Sequence, residues 1–233
     1  LFVGWWVDLV MKNILARGGI EFLAVFIGIA LSLWVDDRRD LNTVRETNYK
    51  TLKSLKNEIN LRIDYIDKKI IQYQRDIAIG DYVISSWSNT NLDSIFYKTK
   101  EGRGIVLTLK AYRAINLPIS IYNSLNSDGS IGKLDQDTIK VILDNLYEVF
   151  PAHIVDGVEN ERILYHSFNE YIIKNYPKIV DGNLDGLNRK EYVTFFNDDI
   201  VLGFTMEKTQ IRKFILRLII NYKKQLIELD ALL

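Results

Sequence analysis

Cysteine is absent from the 233 residues, so disulfides, thiolate metal sites and cysteine nucleophiles are excluded. Only three prolines and thirteen glycines interrupt a chain rich in Ile, Leu, Lys, Asn and Tyr, which favours helices over many short strands. Excess charge is also missing: thirty Lys and Arg balance thirty Asp and Glu. That balance argues against a nucleic-acid partner, which calls for a basic surplus. Histidine occurs twice, at His153 and His166, thirteen residues apart, with no paired histidines and no Glu-x-x-His motif that would make a metal-binding set. No nucleophile elbow, phosphate-binding loop or dinucleotide fingerprint is present, and Gly102-Arg-Gly104 is a turn lacking the Lys-Ser/Thr that would make it a phosphate cradle. No catalytic set is visible, so the expectation is a chain that is not an enzyme and carries no cofactor.

What the chain does have is an apolar run, Ile20–Val35, reading IEFLAVFIGIALSLWV. It is followed at once by Asp36, Asp37, Arg38, Arg39 and Asp40. As a helix, sixteen residues rise ~24 Å, short of a ~30 Å hydrocarbon core, so a spanning helix would need its flanks. With Arg17 on one side and Arg38 and Arg39 on the other, it reads as a transmembrane helix over 20–38. Ala24, Gly28 and Ser32 recur every fourth residue, and Glu21 lies on roughly the same face. Small side chains let two helix backbones approach closely, so these four residues form a candidate helix–helix interface. Residues 1–19 are apolar with Trp5 and Trp6 adjacent, and read as an interfacial helix ended by Gly18-Gly19. Trp5, Trp6, Arg17, Trp34, Arg38 and Arg39 are the expected membrane-interface residues.

Beyond residue 39 the pattern becomes a long amphipathic stalk helix over 39–84. Ile59, Ile63, Ile66, Ile70, Tyr73 and Ile77 are spaced as a heptad stripe, with Leu52 and Leu55 before it. Glu58, Arg62, Asp64, Asp67, Lys68 and Lys69 read as lying on other faces. Residues 85–233 read as a helical bundle that packs with the stalk. Ser85–Gly104 is loop-like, a helix resumes near Val106, and Pro118 starts another over about Ile119–Asn126, ended by Asp128-Gly129. Asp135 caps a helix over Thr138–Phe150, interrupted by Pro151. A further helix covers about Val158–Asn175. The last, about Asn197–Leu229, carries Phe204, Ile211, Phe214, Ile215, Leu218, Ile219, Tyr222 and Leu226. The expected fold is all-α: an interfacial helix, one transmembrane helix continuing into a stalk, and an antiparallel bundle.

Asp181, Asn183 and Asp185, with Gly186, match the first half of a calcium loop, because alternate oxygen ligands can surround a hard cation. The closing glutamate is missing: position 12 is Tyr192, and Glu191 comes one residue early. Turn chemistry alone also accounts for this composition.

Two motifs carry a family resemblance. The stem Glu21-x-x-x-Val25-x-x-Gly28-Ile29-x-x-Ser32-Leu33 is followed by Trp34 and charged residues. Downstream stands Tyr122-Asn-Ser124-Leu125-Asn-Ser127-Asp-Gly129, then a helix reaching Tyr147. In order and spacing these resemble a bacterial family of single-span membrane proteins with a helical extramembrane domain and no established activity. The resemblance implies architecture rather than mechanism.

Lys and Arg after the apolar run (Arg38, Arg39, Arg45, Lys50, Lys53) outnumber those before it (Lys12, Arg17), which favours a cytoplasmic bundle. Absence of cysteine and the calcium-like loop favour the opposite side. The expectation is a bacterial inner-membrane protein with its C-terminal bundle in the periplasm. Its expected partners are the lipid bilayer and other transmembrane helices, in a homo-oligomer or a larger membrane complex. Two functions fit: a non-catalytic structural or accessory subunit, or a membrane-tethered sensor or binding module.

Overall fold

The computed structural model describes the backbone of residues 2–91, 104–134, 136–180 and 189–233, and the side chains of these residues apart from 2–21, 24 and 189. Every regular element among them is helical. In chain order they are α1 (Phe2–Ser85), α2 (Ile105–Lys110), α3 (Ser120–Ser127), α4 (Asp137–Asp144), a π-helical turn (Asn145–Val149), α5 (Phe150–Asn175), a 3-10 turn (Pro177–Ile179), α6 (Arg189–Phe195) and α7 (Asp199–Leu232). The chain divides into two compact units, 1–51 and 52–233.

Unit 1 is the first part of α1, which runs through Gly18-Gly19 without a break. Two glycines lower helix propensity by ~1 kcal/mol each, and here they do not end the helix. Among the described residues no helix is long and apolar enough to cross a membrane. That finding overturns the expected single-pass inner-membrane placement with a periplasmic bundle. The physical reason is length: the apolar run falls short of the hydrocarbon core, and five consecutive charged residues close it at Asp36. Trp34 and Arg38 are instead partners of each other, the guanidinium lying 4.3 Å from the indole centroid.

Unit 2 is built from the rest of α1 with α5 and α7. Lys223 pairs with Asp67 at 2.5 Å and Lys213 with Asp81 at 2.7 Å, so α1 and α7 run antiparallel. Phe168 stacks on Phe204 while Glu161 meets Arg212, so α5 and α7 are antiparallel too. Gly80 allows a close approach: a Cβ there would collide with Thr209 Oγ1. A larger residue there requires the Thr209 side chain or the helix spacing to shift.

The core has two apolar clusters. One gathers Leu55, Ile59, Ile66 and Tyr73 of α1 with Leu143, Leu146, Ile215, Ile219, Tyr222 and Leu226. The other gathers Val83, Phe168, Ile172, Tyr192, Phe195 and Val201. The inward stripe of α7 is Val201, Thr205, Lys208, Arg212, Ile215, Ile219, Tyr222, Leu226 and Leu229, all buried. Its spacing alternates four and three, the period that keeps one helix face against its neighbours. Phe214, expected in that stripe, is half exposed instead.

Pro151 does not interrupt its helix. The π-helical turn precedes it, with the Phe150 N–H donating to the Asn145 carbonyl five residues back. In that register the next donor would be residue 151, which as proline has no N–H. The wide turn lets the chain pass the proline and leaves the Leu146 carbonyl open to a side chain.

Candidate functional site

Between the two apolar clusters lies a layer of buried charge. Asp76 of α1, Arg113 after α2, Glu161 of α5, and Lys208 and Arg212 of α7 are each less than 5% exposed. Arg113 grips Asp76 bidentately, Nε to Oδ2 at 2.5 Å and Nη2 to Oδ1 at 3.0 Å. Arg212 Nε donates to Glu161 Oε1 at 2.6 Å. The Arg113 backbone N–H donates to Glu161 Oε2 at 3.1 Å, and the Tyr73 hydroxyl lies 3.2 Å from the same oxygen. Burial, and then the Glu161 carboxylate beside it, push the Tyr73 hydroxyl far above its ordinary pKa, so it stays a neutral donor.

The two carboxylates are matched by the two guanidinium groups, and Lys208 adds a further charge. Its Nζ donates to the Lys110 carbonyl and lies 5.8 Å from the Tyr165 ring centroid. Burial, followed by repulsion from Arg212, lowers its pKa to about 7. The linked stability effect has a definite sign. Folded Lys208 releases its proton near pH 7, whereas the unfolded chain holds it to ~10.4. Between those values the unfolded state binds more protons, so this group makes stability rise with pH, by at most ~1.4 kcal/mol per unit. Below about 7 its contribution is flat. Lys208→Met is therefore expected to flatten the stability profile measured by denaturant unfolding from pH 7 to 9.5. An unchanged slope would show that Lys208 does not titrate in this way.

These cations also finish a helix. Arg212 Nη2 donates to the Thr108 and Ala111 carbonyls at 2.9 and 2.7 Å, beside the Lys208 bond to Lys110. The final carbonyls of α2 are thus capped by α7, where positive charge also complements the helix dipole.

From Ala111 to Ile119 the chain has no regular secondary structure, and its backbone is clipped along α1 by side chains. Tyr73 reaches the Arg113 carbonyl, Lys69 the Ala114 carbonyl at 2.5 Å, and Tyr65 the Asn116 N–H at 2.8 Å. Arg62 reaches the Pro118 carbonyl at 2.5 Å, and Glu58 accepts from the Ile121 and Tyr122 N–H groups at 2.6 and 3.3 Å. The order along α1 is the reverse of the order along the strap. Lengths agree: 58 to 76 rises ~27 Å in a helix, and 113 to 121 spans ~26 Å extended. Each buried peptide group needs a partner, and with no sheet available α1 side chains supply them. Glu58 also serves as the cap of α3, whose own N-cap residue, Ile119, makes no side-chain cap bond.

Arg62 is the hub. Besides Pro118 it donates to the Leu146 carbonyl left open by Pro151, at 3.2 Å, and to the Tyr222 hydroxyl. Its guanidinium lies 3.6 Å from the Tyr147 ring centroid. On Tyr147 also stacks Tyr122, with centroids 3.9 Å apart. The downstream motif therefore has a structural meaning: Tyr122 and Tyr147 are stacked core residues, and Gly129, at φ +75°, follows the end of α3.

A smaller node closes the other end. The Tyr171 and Tyr176 hydroxyls both donate to Asp198 Oδ2 at 2.6 Å, while Oδ1 accepts the Ile200 N–H and caps α7. Burial works against the charge on Asp198, but these hydrogen bonds outweigh it and hold its carboxyl below the usual range. Nearby a shallow depression of about 270 Å³ is lined by Ser88, Asn89, Thr90, Val193, Phe196 and Asn197.

Among the sequence-derived candidates, Gly28 has open space around it and Ser32 is exposed. Trp34, Arg38 and Arg39 are exposed as well. The side chains of Trp5, Trp6, Arg17, Glu21 and Ala24, and the candidate calcium ligands Asp181, Asn183 and Asp185, lie outside the described residues. Among the described residues no cluster of three His, Asp or Glu could hold a metal ion. Sequence reasoning placed Glu58 and Arg62 on outer faces, yet both are buried. The signal was the strict heptad 55, 59, 62, 66, 69, 73, 76, 80, 83, which puts Arg62, Asp76 and Gly80 on the inward stripe.

No family model, curated protein or solved structure matches the chain. The resemblance carried by the two sequence motifs rests on those residues alone.

Proposed function

We propose that the chain is a non-catalytic structural or accessory subunit that docks through the apolar part of its first helix. One observation carries this reading. Every large apolar side chain described between Phe22 and Val35 is exposed, from 43% at Val35 to 70% at Phe22. A helix apolar on all sides is stable when other surfaces cover it. The buried charges of unit 2 support the same reading, because each is engaged with another buried group or with the chain's own backbone. They clamp a strap and cap helices, which is scaffold work. The Ala24, Gly28 and Ser32 face is the proposed contact, and Gly28 leaves room there for another backbone. The test is the mass of the full chain in mild detergent. The expected result is a species heavier than the monomer that Gly28→Ile shifts toward monomer. A monomeric wild type, or an unaffected variant, would overturn this docking face.

A further inference from the structure

α2 is only six residues long, too short to keep a helical form by itself. Its N-cap residue, Gly104, makes no side-chain cap bond. Two things hold it in place. Ile105, Val106 and Leu109 sit in the second apolar cluster, and Lys208 and Arg212 of α7 bind its last carbonyls. The chain that follows is anchored separately: Arg113 is fixed to Asp76 by its guanidinium and to Glu161 by its backbone N–H. Between these anchors stand Ala111, with an extended backbone, and Tyr112, which is exposed. α2 can therefore leave α7 by turning about residues 111–112 while the strap stays on α1.

Of the two side chains that hold α2, Lys208 is the one without a counter-charge. Asp76 of α1 and Glu161 of α5 are matched by Arg113, after α2, and by Arg212 of α7. An ammonium group has three protons to place. The Lys110 carbonyl of α2 takes one, and the Tyr165 ring of α5, 5.8 Å away, is the other close neighbour. A neutral amine is served by that one carbonyl and is not repelled by Arg212 and Arg113. Burial and Arg212 accordingly bring its pKa down to about 7. When α2 lifts, the carbonyl covering Nζ leaves with it and the nitrogen meets water, where it holds its proton to ~10.4.

We infer that Lys208 is a proton-operated latch: α2 closes on α7 while the Lys208 amine is neutral and is released as that nitrogen takes up a proton. Release uncovers Ile105, Val106 and Leu109 and the part of the Phe168 cluster beneath them. Between about 7 and ~10.4 opening binds a proton, so the opening constant falls as pH rises, by at most ~10-fold per unit, and is flat below about 7. Amide hydrogen exchange of the full chain reads this local opening. The Thr108 and Ala111 N–H groups donate to the Gly104 and Leu107 carbonyls at 3.1 and 2.9 Å. Corrected for intrinsic exchange, their protection is expected to rise roughly 10-fold from pH 7 to 8.5. The Ile219 N–H, in the middle of α7, is expected to stay better protected throughout. Lys208→Met is expected to make the α2 profile flat. If that variant does not fold, Lys208→Arg, which keeps its charge over this range, is expected to remove the slope as well. A flat wild-type profile, an unchanged slope in the variant, or exchange at Ile219 as fast as in α2 would overturn the latch; the last result would mean that the bundle opens as a whole.

Discussion

Replacing Glu161 by leucine is expected to lower unfolding free energy by about 3–5 kcal/mol, the range for breaking a buried ion pair from one side. The substitution keeps side-chain volume roughly constant, so the loss is electrostatic. Arg212 would lose its 2.6 Å partner, and the Arg113 N–H would lose its acceptor. Both residues are buried, so the Arg212 Nε–H and the Arg113 N–H would each retain a desolvation penalty without their acceptor. Urea unfolding of the full chain measures the effect. The control is Glu159→Ala, which breaks an exposed pair with Arg162 and should change stability by no more than ~0.5 kcal/mol. A Glu161→Leu loss as small as the control's would mean that the ionic layer does not hold the bundle together.

Arg62→Met is the second large effect, at about 2–4 kcal/mol. It strands the Pro118 and Leu146 carbonyls and removes the cation from the Tyr147 ring. The Leu146 carbonyl also permits a sharper test. Pro151→Ala restores an N–H that can reach it along the π-helical register. Arg62→Met should therefore cost less in the Pro151→Ala background, by about 1 kcal/mol. Strict additivity in that double-mutant cycle would show that the proline and the arginine are independent.

Much of the fold was legible. Few prolines, 3.6-residue periodicity and the Asp128-Gly129 stop placed α3, α7 and the end of α5 within a few residues, because caps and apolar stripes are local signals, whereas α5 begins at Phe150, well before the expected Val158. The centre of the α1 stripe was placed one residue off. Ile59, Ile66, Tyr73 and Ile77 are buried as expected, but Ile63 and Ile70 are only half-buried, and Arg62 and Asp76 take the inward positions beside them. Charged residues on an inward heptad read as exposed until the partners that neutralise them are known. Arg113 and Glu161 stand forty-eight residues apart, and no local pattern joins them. Pro151 misled for the opposite reason: its breaking tendency is local, while the π-helical turn and the Arg62 donor that accommodate it are not. The membrane placement rested on an apolar run whose length was already marginal.

By itself the sequence determined that the chain is helical, lacks thiol chemistry, and carries an apolar stretch, Ile20–Val35, in its first helix. Those properties follow from composition and from spacing within single helices. Only the tertiary structure decided that unit 2 has a charged layer between two apolar clusters and a strap held along α1. Both depend on pairing groups that are distant in sequence. A buried charge or an unpaired peptide group is tolerated only where such a partner has been brought within hydrogen-bonding distance.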